Sequence, residues 1–354
     1  MSRYLSKKYA SLVPYVPGEQ PRDRAYIKLN TNESPFPPSR RAQRAARVAA
    51  KRLALYPDPT MKALREAFAS SLGLIADCCL ATNGSDEILN FAFAAFCDED
   101  TPAVYPDITY GFYGVFADLY RLPRRVIPLR EDLTIDPTAY YNAGGTVFIA
   151  NPNAPTGIAL SLADIEGILR NNPDNVVVVD EAYVDFGTES AVSLIEKYAN
   201  LLVTQTFSKS RSMAGARLGF GIACPALIRD LDAIKYSTNP YNVNAMTAAV
   251  GIGTLSDPAY TEKNCKRIIE TREYVLGELR AMGFSATPSK ANFVFATHPR
   301  LSGEAYYNAL RARGILVRHF TGERIAEYNR ITVGSRAEMD TFLSATKAIL
   351  EENQ

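Results

Sequence analysis

Apolar residues in the middle of the chain come in short runs that leave no polar face, and between these runs they recur every three or four positions. The first pattern marks buried strands and the second marks amphipathic helices. The runs predict strands over Pro102 to Tyr105, Arg125 to Pro128, Thr146 to Ala150, Val176 to Asp180, Leu201 to Thr206 and Leu218 to Cys224. Val176 to Val179 is apolar on both sides of its pleat, so it belongs at the centre of a sheet covered on both faces. Strands alternating with helices predict an α/β fold with a mostly parallel sheet.

Ahead of this region, Pro14, Pro17, Gly18, Pro21 and Pro35 break the first 35 residues into an extended arm. Helices are expected over Ser39 to Leu55, ended by the YPDP turn, and over Met61 to Leu72. After the polar stretch KYSTNPYNVNAMT, the pattern predicts helices from Asn244, over Pro258 to Met282, Gly303 to Arg313 and Arg336 to Leu350. These alternate with short strands over Asn292 to Ala296, Ile315 to Arg318 and Arg330 to Val333. The expected division is an arm (1–35), a large α/β domain with a central, mostly parallel sheet flanked by helices (36–243), and a smaller α+β domain (244–354).

Thirty-nine Lys and Arg against 38 Asp and Glu leave a net charge of +1, which gives no global attraction to nucleic acid or to an anionic membrane. Neither a signal-like N-terminus nor an eighteen-residue apolar stretch is present, so a cytoplasmic protein is expected. Cys78, Cys79, Cys97, Cys224 and Cys265 form no CxxC pair and read as reduced thiols. His298 and His319, the only histidines, lie too far apart in sequence to suggest a metal site, and His319 reads as a surface residue.

The candidate chemistry lies in VVVVDEAY and TFSKSRSMAGARLGF. Asp180, at the end of a parallel strand, faces the crevice where open α/β sheets bind ligands. Lys209 supplies an amine nucleophile, with the Ser208 hydroxyl and the Arg217 cation flanking it. Asn83-Gly84-Ser85-Asp86 precedes an apolar helix, whose N-terminal N–H groups favour an anion. An imine-forming amine, a carboxylate for a pyridinium nitrogen and a phosphate cradle together describe a site for pyridoxal 5′-phosphate.

The segments LNTNESPFPPS, YPDP, NGSDEIL, YPDITYGFY, NPNAPTG, VVVVDEAYVDF, TFSKSRSMAGARLGFG, GILVRHF and NRITVGSR occur in the order seen in histidinol-phosphate aminotransferases. The chain resembles that family, which belongs to the fold-type I pyridoxal-phosphate transferases. The resemblance implies that Lys209 is the Schiff-base lysine, Asp180 the pyridinium partner and Tyr183 the hydroxyl donor to the ring 3-oxygen. It makes Gly84, Ser85, Asp86, Ser208 and Arg217 cofactor contacts and Tyr110 the aromatic residue stacked on the ring. Tyr56 would reach the phosphate from a neighbouring subunit, which implies a homodimer with its active site at the interface.

Ala154 departs from the family pattern, which has asparagine before Pro-Thr-Gly. Either Asn153 or Asn151 shifts to bond the ring oxygen, or Tyr183 does so alone. Arg330 and Arg318 are implied to grip substrate anions, since a guanidinium suits carboxylate and phosphate alike. Tyr15 and Asn32 would line the same pocket. The implied reaction moves an amino group between L-histidinol phosphate and 2-oxoglutarate. A threonine-phosphate decarboxylase-like lyase and an aminotransferase for aromatic amino acids share most of these motifs.

Overall fold

The computed structural model describes residues 2–353; Met1 and Gln354, the outer ends of the first and last predicted segments, lie outside the described residues. Seven strands form the main sheet in the order Cys79–Thr82, Gly219–Ala223, Leu201–Thr206, Val177–Asp180, Thr146–Ala150, Ala103–Pro106, Arg124–Ile127. All neighbours pair in parallel except Gly219–Ala223, which runs antiparallel to the strands on either side. The six predicted strands are present within one or two residues of their expected ends. Cys79–Thr82 was not predicted, because the four residues CLAT carry too little pattern.

Each of the three central valines is fully buried, at about 1.5–3 kcal/mol of transfer free energy apiece. Val177 and Val179 face a layer containing Phe68, Phe207 and Phe220. Val178 faces the opposite layer of Phe93, Tyr113 and Phe148. Side chains alternate along a strand, so Asp180 falls on the side of Val178, next to Tyr113.

The C-terminal part carries an antiparallel sheet in the order Arg318–His319, Asn329–Thr332, Phe293–Thr297, Ser285–Ala286. Helices Pro258–Ala281, Gly303–Ala312 and Arg336–Glu352 accompany it, and Val275, Leu279, Tyr306, Leu310, Met339 and Phe342 join its apolar layer. Where one strand was expected over Ile315 to Arg318, two short ones form. Ile315–Leu316 leaves the sheet to pair in parallel with Ile27–Lys28. The end of the arm is therefore strand, not merely extended chain.

Helix Ala245–Leu255, which the expected division placed after its boundary at residue 244, packs on helices that precede that boundary. A side chain at Gly253 would meet the backbone of Ala42 at 2.9 Å, and one at Gly251 would meet Leu218 and Leu64. These glycines let the helix lie directly on helices Arg40–Ala49 and Lys62–Ser71. His319 is half-buried, stacked on Tyr307 with ring centroids 5.8 Å apart, rather than on the surface.

Candidate active site

The C-terminal ends of the parallel strands open into a cavity of about 460 Å³. Asp180 forms its floor, 4 % exposed. Its carboxylate accepts from Thr204 Oγ1 at 3.1 Å, Ala182 N at 3.2 Å and the Tyr113 hydroxyl at 3.3 Å. Thr204 stands directly opposite Asp180 in the parallel ladder. Burial pushes the carboxyl up to about 6 despite these donors, because none of the three carries a positive charge.

Lys209 follows strand Leu201–Thr206 and reaches across the cavity, donating to the Thr31 carbonyl at 3.0 Å. Burial, reinforced by the Arg330 charge, pulls the amine down to about 8. A substantial neutral fraction is thus available near pH 7–8, and the neutral amine is the nucleophile. Tyr183 sits beside it, with its ring centroid 5.9 Å from Nζ and its hydroxyl oxygen accepting from Asn32 Nδ2 at 2.9 Å.

At the other end of the cavity the backbone packs closely around two glycines. Gly84 caps helix Ser85–Phe96 with φ 84°, and a Cβ there would lie 2.5 Å from Arg217 Nη2. Across from it, a side chain on Gly219 would collide with Ser85 N and the Gly84 backbone. These close approaches bring the helix N-terminus, Ser85 and Arg217 together, with Ser208 beside them. Asp86 receives the Tyr110 hydroxyl on one oxygen at 2.7 Å and Arg217 Nη2 on the other at 3.0 Å.

A second cavity of about 700 Å³ shares Thr31, Tyr110, Ala154, Tyr183 and Lys209 with the first, so the two are ends of one cleft. Tyr15 forms part of its wall, stacked on Phe112 at 4.3 Å. Arg318 and Arg330 also line it and stand directly opposite each other on antiparallel strands. Like charges in that register repel, yet among the described residues neither has a carboxylate partner. Arg318 donates to the Val16 carbonyl at 3.3 Å and Arg330 to the Asn30 carbonyl at 3.1 Å, while Arg330 Nε is buried without a partner.

Asn153, Asn151 and Asn32 are engaged by other parts of the chain, and Tyr56 stands outside its own chain's cleft, where a contact made from a neighbouring subunit would leave it. The side-chain oxygen of Asn153 accepts from Thr109, and its amide donates to the Ile108 carbonyl at 2.9 Å and to Thr156 at 3.2 Å. Asn151 is tied to the backbone of Leu160. Both amides hold the loop around Pro152, so neither replaces the side chain missing at Ala154. Asn32 lines the cleft, but its oxygen and one amide hydrogen are taken by Thr332 and Tyr183 instead of being free for substrate. Tyr56 is 82 % exposed, stacked on Tyr241 and remote from the cleft lining of its own chain.

Thr31, Tyr113, Thr204 and Thr206 were not anticipated. The signal for Thr204 and Thr206 lies in LLVTQT, where polar residues follow an apolar run in a strand buried along its whole length. The donor set suits pyridoxal 5′-phosphate. Asp180 is a buried carboxylate with no ion-pair partner among the described residues, Lys209 is a buried amine, and Ser85, Ser208 and Arg217 are donors gathered at a helix N-terminus where they could hold a phosphate.

The model of the aminotransferase class I and II family matches residues 24–345. A histidinol-phosphate aminotransferase of Marinomonas sp. (strain MWYL1) is 50 % identical over 353 residues, covering 99 % of this chain and 100 % of that one. The Brachyspira hyodysenteriae (strain ATCC 49526 / WA1) protein of the same name is 46 % identical with the same coverage. The structure of histidinol-phosphate aminotransferase from Sinorhizobium meliloti in complex with pyridoxal-5′-phosphate superposes with a TM-score of 0.90 at 22 % identity, over 99 % of both chains, which shows the shared fold. With the lysine, the aspartate and the cradle gathered in one cleft, the chain belongs to the class I and II aminotransferases, among the histidinol-phosphate aminotransferases.

Proposed function

We propose that this chain transfers an amino group between L-histidinol phosphate and 2-oxoglutarate or glutamate, using pyridoxal 5′-phosphate, as a cytoplasmic homodimer. The observation that carries the substrate assignment is the Arg318–Arg330 pair, two guanidinium groups opposed in one ladder in the cavity that Lys209 also lines, neither of them in an ion pair among the described residues. Such a site is completed by an anionic ligand. A phosphate satisfies it in one half-reaction and a carboxylate in the other. The names of the relatives support the same substrate.

The roles follow from position. Ser85, Ser208, Arg217 and the helix N-terminus hold the cofactor phosphate. Asp180 would hold a proton on the ring nitrogen, which would give its carboxylate a charge partner. Tyr183 donates to the ring oxygen. When bound, the cofactor supplies the electron sink for the substrate carbon. Lys209 Nζ would be the base that takes the proton from the substrate carbon.

An apolar groove of about 720 Å³ runs along helices Arg40–Ala49 and Ala245–Leu255, beside exposed Val48, Leu55 and Tyr56. A second copy of the chain is the occupant we assign to it, bringing Tyr56 toward the partner's cradle. The five cysteines are all free, in keeping with a reducing compartment, and among the described residues no helix is long and apolar enough to cross a membrane. The domain division is likewise our reading, with the boundary moved from residue 244 to just after Leu255.

Arg330→Ala tests the substrate site. It is expected to lower kcat/KM in both half-reactions by roughly 2–5 kcal/mol while cofactor affinity holds. Unchanged specificity constants with a lowered melting temperature would reduce Arg330 to a structural cation and remove the assignment.

A further inference from the structure

We propose that Asn32 is a positioning residue that turns the Tyr183 hydroxyl into a one-way donor facing the cofactor, a task that in this chain falls to Asn32 and Tyr183 together because Ala154 offers no amide. The inference rests on the reading that Tyr183 addresses the ring oxygen.

Asn32 is 1 % exposed and held in the left-handed region at φ 58°, a conformation that asparagine tolerates better than most residues. Its surroundings determine which way its amide points. Asn32 N donates to Thr332 Oγ1 at 2.9 Å, so the Thr332 hydroxyl proton is free to go to Asn32 Oδ1, also at 2.9 Å. The amide oxygen therefore faces Thr332, and Nδ2 faces Tyr183. Asn292 Nδ2 holds the Asn32 carbonyl at 2.9 Å, which fixes the backbone as well.

The consequence lies at the Tyr183 oxygen. It already accepts a hydrogen from Asn32, and among the described residues it has no acceptor for its own proton. That proton is left for the cleft that Tyr183 lines with Lys209 and Ala154. A donor aimed at an oxygen of a titrating chromophore favours the more negative protonation state and so lowers the pH at which the chromophore titrates. Accepting from Asn32 makes the phenol a stronger donor. Asn151 and Asn153 cannot share the work, since their amides are committed to the loop.

The test is a pH titration of the visible absorbance of the holoenzyme in four forms: wild type, Asn32→Gly, Tyr183→Phe and the double variant. Glycine accepts the positive φ without strain, so Asn32→Gly removes the side chain and spares the backbone. The expected result is an upward shift of the midpoint by about half to one pH unit in Asn32→Gly, matching the loss of one neutral hydrogen bond. Tyr183→Phe should shift it at least as far, and the double variant no further than Tyr183→Phe alone. If Tyr183→Phe moves the midpoint and Asn32→Gly does not, or if the two shifts simply add, the proposal is overturned. If Tyr183→Phe leaves the midpoint in place, the underlying role of Tyr183 fails instead.

Discussion

Arg217 Nη2 donates to Asp86 Oδ2 across 3.0 Å, and the Tyr110 hydroxyl occupies the other oxygen of the same carboxylate. One acid thus aims both the cation of the anion cradle and the aromatic residue at the cavity wall. Arg217 also takes a positive φ of 56° just before strand Gly219–Ala223, which brings its head against Gly84.

Arg217→Ala is expected to weaken cofactor retention by the worth of one charge-assisted bond, about 1.5–3 kcal/mol, or roughly tenfold to a hundredfold in Kd. Turnover at saturating cofactor should change far less. Equilibrium dialysis of the cofactor against both proteins measures this, and equal affinities would take Arg217 out of the cradle.

The Asp180 carboxyl titrates near 6 in the folded chain, against 3.8 for its ordinary value. Between those values the folded state binds more protons than the unfolded one, so this group's contribution to stability falls as pH rises from about 4 to 6 and stays low above that. In cofactor-free protein, Asp180→Asn should relieve the penalty at pH 8, by on the order of 1–3 kcal/mol, and relieve only about half as much at pH 5. Melting curves of both proteins at the two pH values check this. A mutant whose gain is the same at pH 5 and pH 8 would show that burial of the charge is not what limits stability there.

Tyr56→Phe should lose cofactor affinity if the Tyr56 hydroxyl donates to a partner's cradle. Mixed dimers with Lys209→Ala are the sharper form of the test. Each mixed dimer can draw Lys209 from one chain and Tyr56 from the other, so it regains one intact site of two. Activity on mixing two nearly inactive preparations is the expected outcome; no recovery in demonstrably mixed dimers, or an active monomer on gel filtration, would contradict it.

Much of the cleft is legible in the chain because its chemistry is specific to residue type. Lys209 cannot be replaced by arginine, Asp180 ends an apolar run that can only be a central strand, and Gly84 precedes a helix N-terminus. What escaped depends on the direction a side chain takes. Asn153 and Ala154 are neighbours in sequence, yet the loop sends Asn153 toward Thr109 and Ile108 and leaves Ala154 on the cleft. Asn32 reads as a polar pocket residue until Thr332, three hundred positions away, is seen to fix its amide. The allegiance of helix Ala245–Leu255 was hidden for a similar reason. Its apolar residues suit either domain, and only the close approach at Gly251 and Gly253 shows which helices it meets.

The central claim is most directly tested by a single half-reaction. Purified holoenzyme is mixed with L-histidinol phosphate alone, and the visible absorbance of the cofactor is followed while the products are analysed. The account predicts loss of the visible band with one equivalent of the matching ketone phosphate per active site, and return of the band on adding 2-oxoglutarate, with glutamate formed. An unchanged band with L-histidinol phosphate, alongside carbon dioxide release from O-phospho-L-threonine, would contradict it and make the protein a decarboxylase.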